Sequence, residues 1–170
     1  MPKAIKWYTL AAEGGDLKAQ FNLGICYDKG TGVAVDKREA VKWYKRAAEA
    51  GDVIAQCSLG NCYSNGDGVA VDKREAVMWY KRAAEGGFVK AQFNLGTCYL
   101  NGDGIAVDKR EAIKWYTLAA EVGHVNARFN LGICYLNGDG IAIDKNEGIK
   151  WITRAAEAGV SEAQAILDSF

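Results

Sequence analysis

Residues 36–51 read Asp36-Lys-Arg-Glu-Ala-Val-Lys-Trp43-Tyr-Lys-Arg-Ala-Ala-Glu-Ala-Gly51. At about 100° per residue, Ala40, Trp43, Tyr44, Ala47 and Ala48 share one side of a helix. Lys42, Lys45, Arg46 and Glu49 fall on the other, which predicts one buried face and one wet face. Asp36 is placed to accept from the first unpaired amides while Glu39 reaches back, a capping box worth on the order of 1 kcal/mol. Gly51 stands where the chain must leave the helix in a left-handed conformation. Burying each Trp should contribute roughly 2–3 kcal/mol, and the Ala residues beside it admit a second helix at close range.

The same stretch recurs. Tryptophan occurs at 7, 43, 79, 115 and 151, always 36 residues apart. Cys26, Cys62, Cys98 and Cys134 keep that interval, as do the capping pairs Asp72/Glu75, Asp108/Glu111 and Asp144/Glu147 and the exit glycines Gly15, Gly87, Gly123 and Gly159. A fixed period of this length is the signature of a stacked repeat array. The chain divides into a half unit (1–15), full units 16–51, 52–87, 88–123 and 124–159, and a truncated final helix (160–170). Together these make a single repeat domain over 1–170.

Each unit has an earlier helix too, beginning near Asp16 and ending near Lys29. Ala19, Leu23, Cys26 and Tyr27 share one face while Phe21 lies across from them, so this helix is predicted to sit between neighbours. Loops such as 30–35 join the helices, and the return to the next unit is short. The predicted fold class is all-α, a superhelix of helix-turn-helix repeats. A lone proline at position 2 leaves the rest of the chain open to helix.

The pattern Ala19, Leu23, Gly24, Tyr27, Gly30, Gly32, Val33, Asp36, Ala40, Trp43, Tyr44, Ala47, Ala48, Glu49 and Gly51 resembles the Sel-1-like repeat family, a relative of the tetratricopeptide repeat. The resemblance covers essentially the whole chain. It implies a right-handed α/α superhelix serving as a protein-binding scaffold or adaptor. Departures cluster near the end: Gly148 for Ala, Ile152 for Tyr and Asp168 for Gly. Ala34, Ala70, Ala106 and Ala142 stand where family members often place proline, which predicts looser loops. A cysteine-rich secreted branch of the family clamps its hairpins with disulfides. Cys57 resembles one arm of that clamp, but its partner near Ala83 and Ala84 is missing.

Several chemistries find no support. Lys plus Arg and Asp plus Glu both total 21, so net charge gives no argument for nucleic acid or an anionic membrane. No apolar run approaches the roughly 18 residues of a membrane span, and the first residues do not resemble a signal peptide. The recurring cysteines read as buried thiols, too far apart in stacked helices for disulfides, which favours a reducing, cytoplasmic setting. His124, the only histidine, aligns with Asp16 and Asp52 at a helix start and reads as a cap or solvated side chain. One His and no Cys-x-x-Cys leave no zinc site, and no cofactor is called for. Gly66-Asp67-Gly68 lacks the ligands of a phosphate or calcium loop and reads as a turn. No nucleophile–base pair recurs, so no catalytic residue is assigned.

The framework hardly varies between units, but one stripe on the first helices does. Its members are Lys18, Asn22, Ile25 and Lys29; Ile54, Ser58, Asn61 and Asn65; Lys90, Asn94, Thr97 and Asn101; and Asn126, Asn130, Ile133 and Asn137. The resemblance places first helices on the concave surface, implying a groove floored by amides and a few Lys. Asn both donates and accepts, which suits an extended peptide backbone. A solvated face whose sequence drifts is the competing reading. The expected function is a monomeric interaction module that binds a protein or peptide partner. The alternatives are a hydrolase, since some cysteine-rich relatives are linked to β-lactams, and a structural spacer within a longer array.

Overall fold

The 36-residue period is built as pairs of 13-residue helices. The computed structural model describes residues 3–170, and those residues form helices and loops with no strand. The chain divides into two compact units, the first ending at Phe88 and the second starting at Val89. Unit 1 carries α1 (Lys3–Glu13), α2 (Leu17–Lys29), α3 (Lys37–Glu49), α4 (Val53–Asn65) and α5 (Lys73–Glu85). Unit 2 carries α6 (Val89–Asn101), α7 (Lys109–Glu121), α8 (Val125–Asn137), α9 (Lys145–Glu157) and the shorter α10 (Ser161–Leu167). Within each unit, helices consecutive in sequence are neighbours in space.

The predicted caps form, with one correction. The Asp36 carboxylate accepts from the Glu39 amide at 3.0 Å, and Asp72, Asp108 and Asp144 repeat this. The second arm of the box does not form at Asp36. Its own N–H donates to Tyr27 O at 2.9 Å, while Glu39 pairs with Lys42 one turn on at 2.7 Å. Tethering the cap to the preceding helix uses the donor that the capping box needs. Asp16, near which α2 was expected to begin, is its N-cap, accepting from the Ala19 amide at 2.7 Å. At the exit Gly51 has φ +99°. Its N–H reaches Ala48 O at 3.1 Å and that of Asp52 reaches Ala47 O at 3.0 Å, a Schellman closure.

Two apolar clusters fill unit 1, and α2 faces both. Leu23 and Cys26 join Ile5, Ala12 and Trp43 on one side. Phe21 and Ile25 lean on Ala40, Tyr44, Leu59 and Trp79 on the other. Unit 2 repeats the scheme around Leu131, Tyr116 and Trp151, with a terminal cluster of Ile152, Ala155 and Ala163. Fully buried leucines such as Leu23 and Leu59 each contribute roughly 1.5–3 kcal/mol. All five cysteines are buried thiols.

One expectation about the second helices needs correcting, and one contact goes beyond what was expected. Trp43, Trp79 and Trp151 are buried, but Trp115 is only half-buried and Trp7 is 71% exposed. Arg46, assigned to the wet face, lays its guanidinium 4.5 Å from the Trp43 ring centre, and Arg82 and Arg154 do the same over Trp79 and Trp151. An arginine three residues after the indole roofs it while its charge stays in water. The Gly66-Asp67-Gly68 turn has a packing role: a Cβ on Gly68 would lie 2.1 Å from Lys37 O. Only glycine lets this loop rest on the start of α3.

Candidate functional site

The variable stripe is not uniform. In unit 1, Lys18 is exposed and Asn22 half-buried on α2. Lys29, Ser58, Asn61 and Asn65 instead converge on one open polar cavity of about 270 Å³. Asp28, Lys37, Tyr44, Cys62 and Asp67 complete its wall. Ile25, placed on the stripe by spacing, turns into the core.

An ion cluster supports one side. Lys37 Nζ lies 2.5 Å from Asp28 Oδ1 and 3.8 Å from Asp67 Oδ1, and Lys29 reaches Asp28 Oδ2 at 3.0 Å. Burial works against the Asp28 carboxylate, but hydrogen bonds and charge from Lys37 and Lys29 outweigh it and hold its pKa below the ordinary value. The same hydrogen bond raises Lys37. Unit 2 keeps only part of this: Lys109 pairs with Asp139 at 2.6 Å, and Leu100 stands where unit 1 has Asp28.

The cavity is also lined by a tyrosine whose hydroxyl changes partners between units. In unit 2, Tyr116 OH lies 3.1 Å from Thr97 Oγ1 and accepts from Asn130 Nδ2 at 3.2 Å. Thr97 gives its own proton to Phe93 O, so it accepts from the phenol. In unit 1 the matching positions are Ile25 and Ser58. Isoleucine has no polar atom, and Ser58 donates to Ile54 O at 2.9 Å. Tyr44 is 5% exposed and lines the cavity, and its hydroxyl makes no hydrogen bond among the described residues. Burial pushes its pKa well above the usual tyrosine value, so it remains a protonated donor. Cys62, at the cavity wall, is pushed by burial up to about 11 and is a thiol at neutral pH.

The remaining stripe residues have mixed roles. Asn61 accepts from Tyr80 OH at 2.8 Å, so it braces the fold as well as lining the cavity. Asn130 braces Tyr116 in the opposite sense, its Nδ2 donating to the hydroxyl. Asn94 is half-buried, Lys90, Asn101, Asn126 and Asn137 are exposed, and Ile133 packs on the terminal cluster. His124 is a cap: its Nδ1 accepts from the Ala127 amide at 3.2 Å and its ring stacks on Phe93 at 4.6 Å. Burial, aided by the charge of Lys90, lowers its pKa.

Sequence reasoning missed Asp28, Lys37, Tyr44 and Asp67 as site residues. One signal was present: position 28 is Asp, whereas the later units have Ser64, Leu100 and Leu136. It also missed Gln20 and Gln56, whose side-chain amides donate to Ala12 O and Ala48 O at 3.0 and 3.1 Å. Arg128 does the same for Ala120 O.

Comparison with known proteins agrees with this architecture. The Sel1 repeat family matches residues 1–16, 17–52, 53–88, 89–124 and 125–160. A protective antigen of uropathogenic Escherichia coli displaying an SLR fold superposes with a TM-score of 0.91 at 41% identity, over 94% of this chain and 34% of that one. A Sel1 repeat protein from Oxalobacter formigenes gives 0.87 at 39% identity, over 96% of this chain and 65% of its own. In sequence, the DAP3-binding cell death enhancer 1 of Rattus norvegicus is 53% identical over 38 residues, 22% of this chain and 8% of that protein. The chain thus spans about a third of the E. coli antigen and less than a tenth of the rat protein. The fold is an all-α solenoid of repeats about 36 residues long, in general a non-catalytic scaffold and commonly a protein-interaction module. No helix among the described residues is long and apolar enough to cross a membrane.

Proposed function

The chain belongs to the Sel1 repeat family, and from that premise we propose that it is a protein-interaction module whose first helices hold a segment of a partner polypeptide. The observation that carries this reading is the convergence of Lys29, Ser58, Asn61 and Asn65 on one open polar cavity. Lys29, Ser58 and Asn61 differ from their counterparts in other repeats, while the framework that presents them is buried and nearly constant. A relative named for binding DAP3 carries a similar repeat, which supports the same use here. Binding rather than turnover fits the groups present: the cavity's one thiol is protonated and no imidazole lies among its lining residues.

The test is site-specific photocrosslinking in an extract of the source cells, with the crosslinker at Asn65, Asn101 or Asn137 on the first helices. Glu49 and Glu85, exposed on second helices, serve as controls. The reading expects one partner polypeptide joined from first-helix positions and absent from the controls. Equal labelling from both sets, or none from either, rejects it.

A further inference from the structure

We propose that the unit 1 cavity is the seat for one carboxamide side chain, Asn or Gln, of a partner polypeptide, with the Tyr44 hydroxyl as its donor. This rests on the interaction reading above and names the chemistry of the contact.

Three observations lead here. Tyr44 is a largely buried tyrosine that lines the open cavity, and its hydroxyl makes no hydrogen bond among the described residues. The hydroxyl reaches the open cavity, so a guest that accepts its hydrogen bond takes the place of solvent there. Second, the charges around the cavity already compensate one another, Lys29 and Lys37 against Asp28 and Asp67. A charged guest would be left unpaired or would have to break that cluster, so a neutral group is favoured. The guest must also both accept and donate: Tyr44 O–H needs an acceptor, and Ser58 Oγ, its proton committed to Ile54 O, can only accept. A carboxamide meets both demands, its oxygen taking the Tyr44 proton and its nitrogen donating to Ser58.

Third, the molecule contains the filled version of this site. In unit 2 the equivalent phenol is met by a carboxamide from the chain itself, Asn130, at the position where unit 1 has Ser58. Serine is shorter, and it leaves room where the amide would have been. The guest therefore does for Tyr44 what Asn130 does for Tyr116.

The experiment is selection of displayed random peptides on the full chain, followed by affinity measurement on the enriched sequences. The expected result is a shared Asn or Gln. Tyr44→Phe should weaken those peptides about tenfold, one hydrogen bond's worth, without lowering the melting temperature. Replacing the shared residue by Leu should cause a similar loss and add little in the Tyr44→Phe background. Ser58→Asn, which builds the unit 2 arrangement into unit 1, should also block binding. Peptides that bind Tyr44→Phe as well as the natural chain, or whose shared residue is charged or apolar, overturn the carboxamide seat and leave the interaction reading standing. A library that yields no binder overturns both.

Discussion

The ring of Tyr80 occupies the space a side chain on Gly60 would need: a Cβ there would meet ring carbons at 2.6 and 2.7 Å and Ala76 O at 3.2 Å. Alanine would gain about 1 kcal/mol of helix propensity over glycine, but overpacking against a buried ring costs typically 1–3 kcal/mol. Gly60→Ala is therefore expected to lower stability. Urea unfolding followed by circular dichroism measures it, and a stabilised variant would mean that the ring yields without cost.

Tyr116 and Tyr44 should respond differently to loss of the hydroxyl. Tyr116→Phe deprives Thr97 and Asn130 of a partner and is expected to cost about 1 kcal/mol. Tyr44→Phe breaks no hydrogen bond among the described residues and should leave the unfolding midpoint unchanged. Equal losses in the two variants would contradict the difference between the units.

The amide of Gln56 gives Ala48 O, near the end of α3, a second hydrogen bond beside the one that carbonyl accepts from the Gly51 N–H. Gln56→Ala should cost on the order of 1 kcal/mol, by removing that second hydrogen bond and opening a small void. Arg128 does the same task for Ala120 O with a guanidinium nitrogen. Arg128→Gln is accordingly expected to be nearly neutral and Arg128→Ala to be destabilising, as thermal unfolding of the two variants can decide.

His124 makes part of the stability depend on pH. Its cap needs Nδ1 unprotonated, and burial and Lys90 hold the folded pKa below the unfolded value of about 6.5. The unfolded chain then binds the proton more readily, so this contribution is complete above that value and is lost as pH falls through the folded pKa. His124→Asp, which restores the cap used at Asp16 and Asp52, should remove this step from the melting-temperature profile between neutral and mildly acidic pH. A step that persists in the variant would assign it to another group.

Much of this was legible without coordinates. The 36-residue interval of tryptophan, the Asp caps and the exit glycines are local signals, since helix ends are set by side chains within a few residues of them. The buried face of residues 36–51 could be read because one helical turn decides which positions share a side. What escaped were interactions across hairpins. Nothing near Asp36 reveals that its amide will be taken by Tyr27, leaving Glu39 to Lys42. Nor does local sequence show that Gln56 caps the preceding helix.

The site divides along the same line. Spacing alone placed Lys29, Ser58, Asn61 and Asn65 on one face, because face membership follows from the angle per residue. Whether that face is flat, braced or hollow depends on what the facing helix sends toward it. In unit 1, Ile25 and Ser58 leave Tyr44 an unanswered proton beside an open space, while in unit 2, Thr97 and Asn130 satisfy the same phenol. The residues involved come from three helices and two hairpins. Periodicity determined the repeat, and tertiary packing decided which of its nearly identical tyrosines keeps an unpartnered hydroxyl beside a cavity, because hydrogen-bond satisfaction depends on atoms distant in sequence.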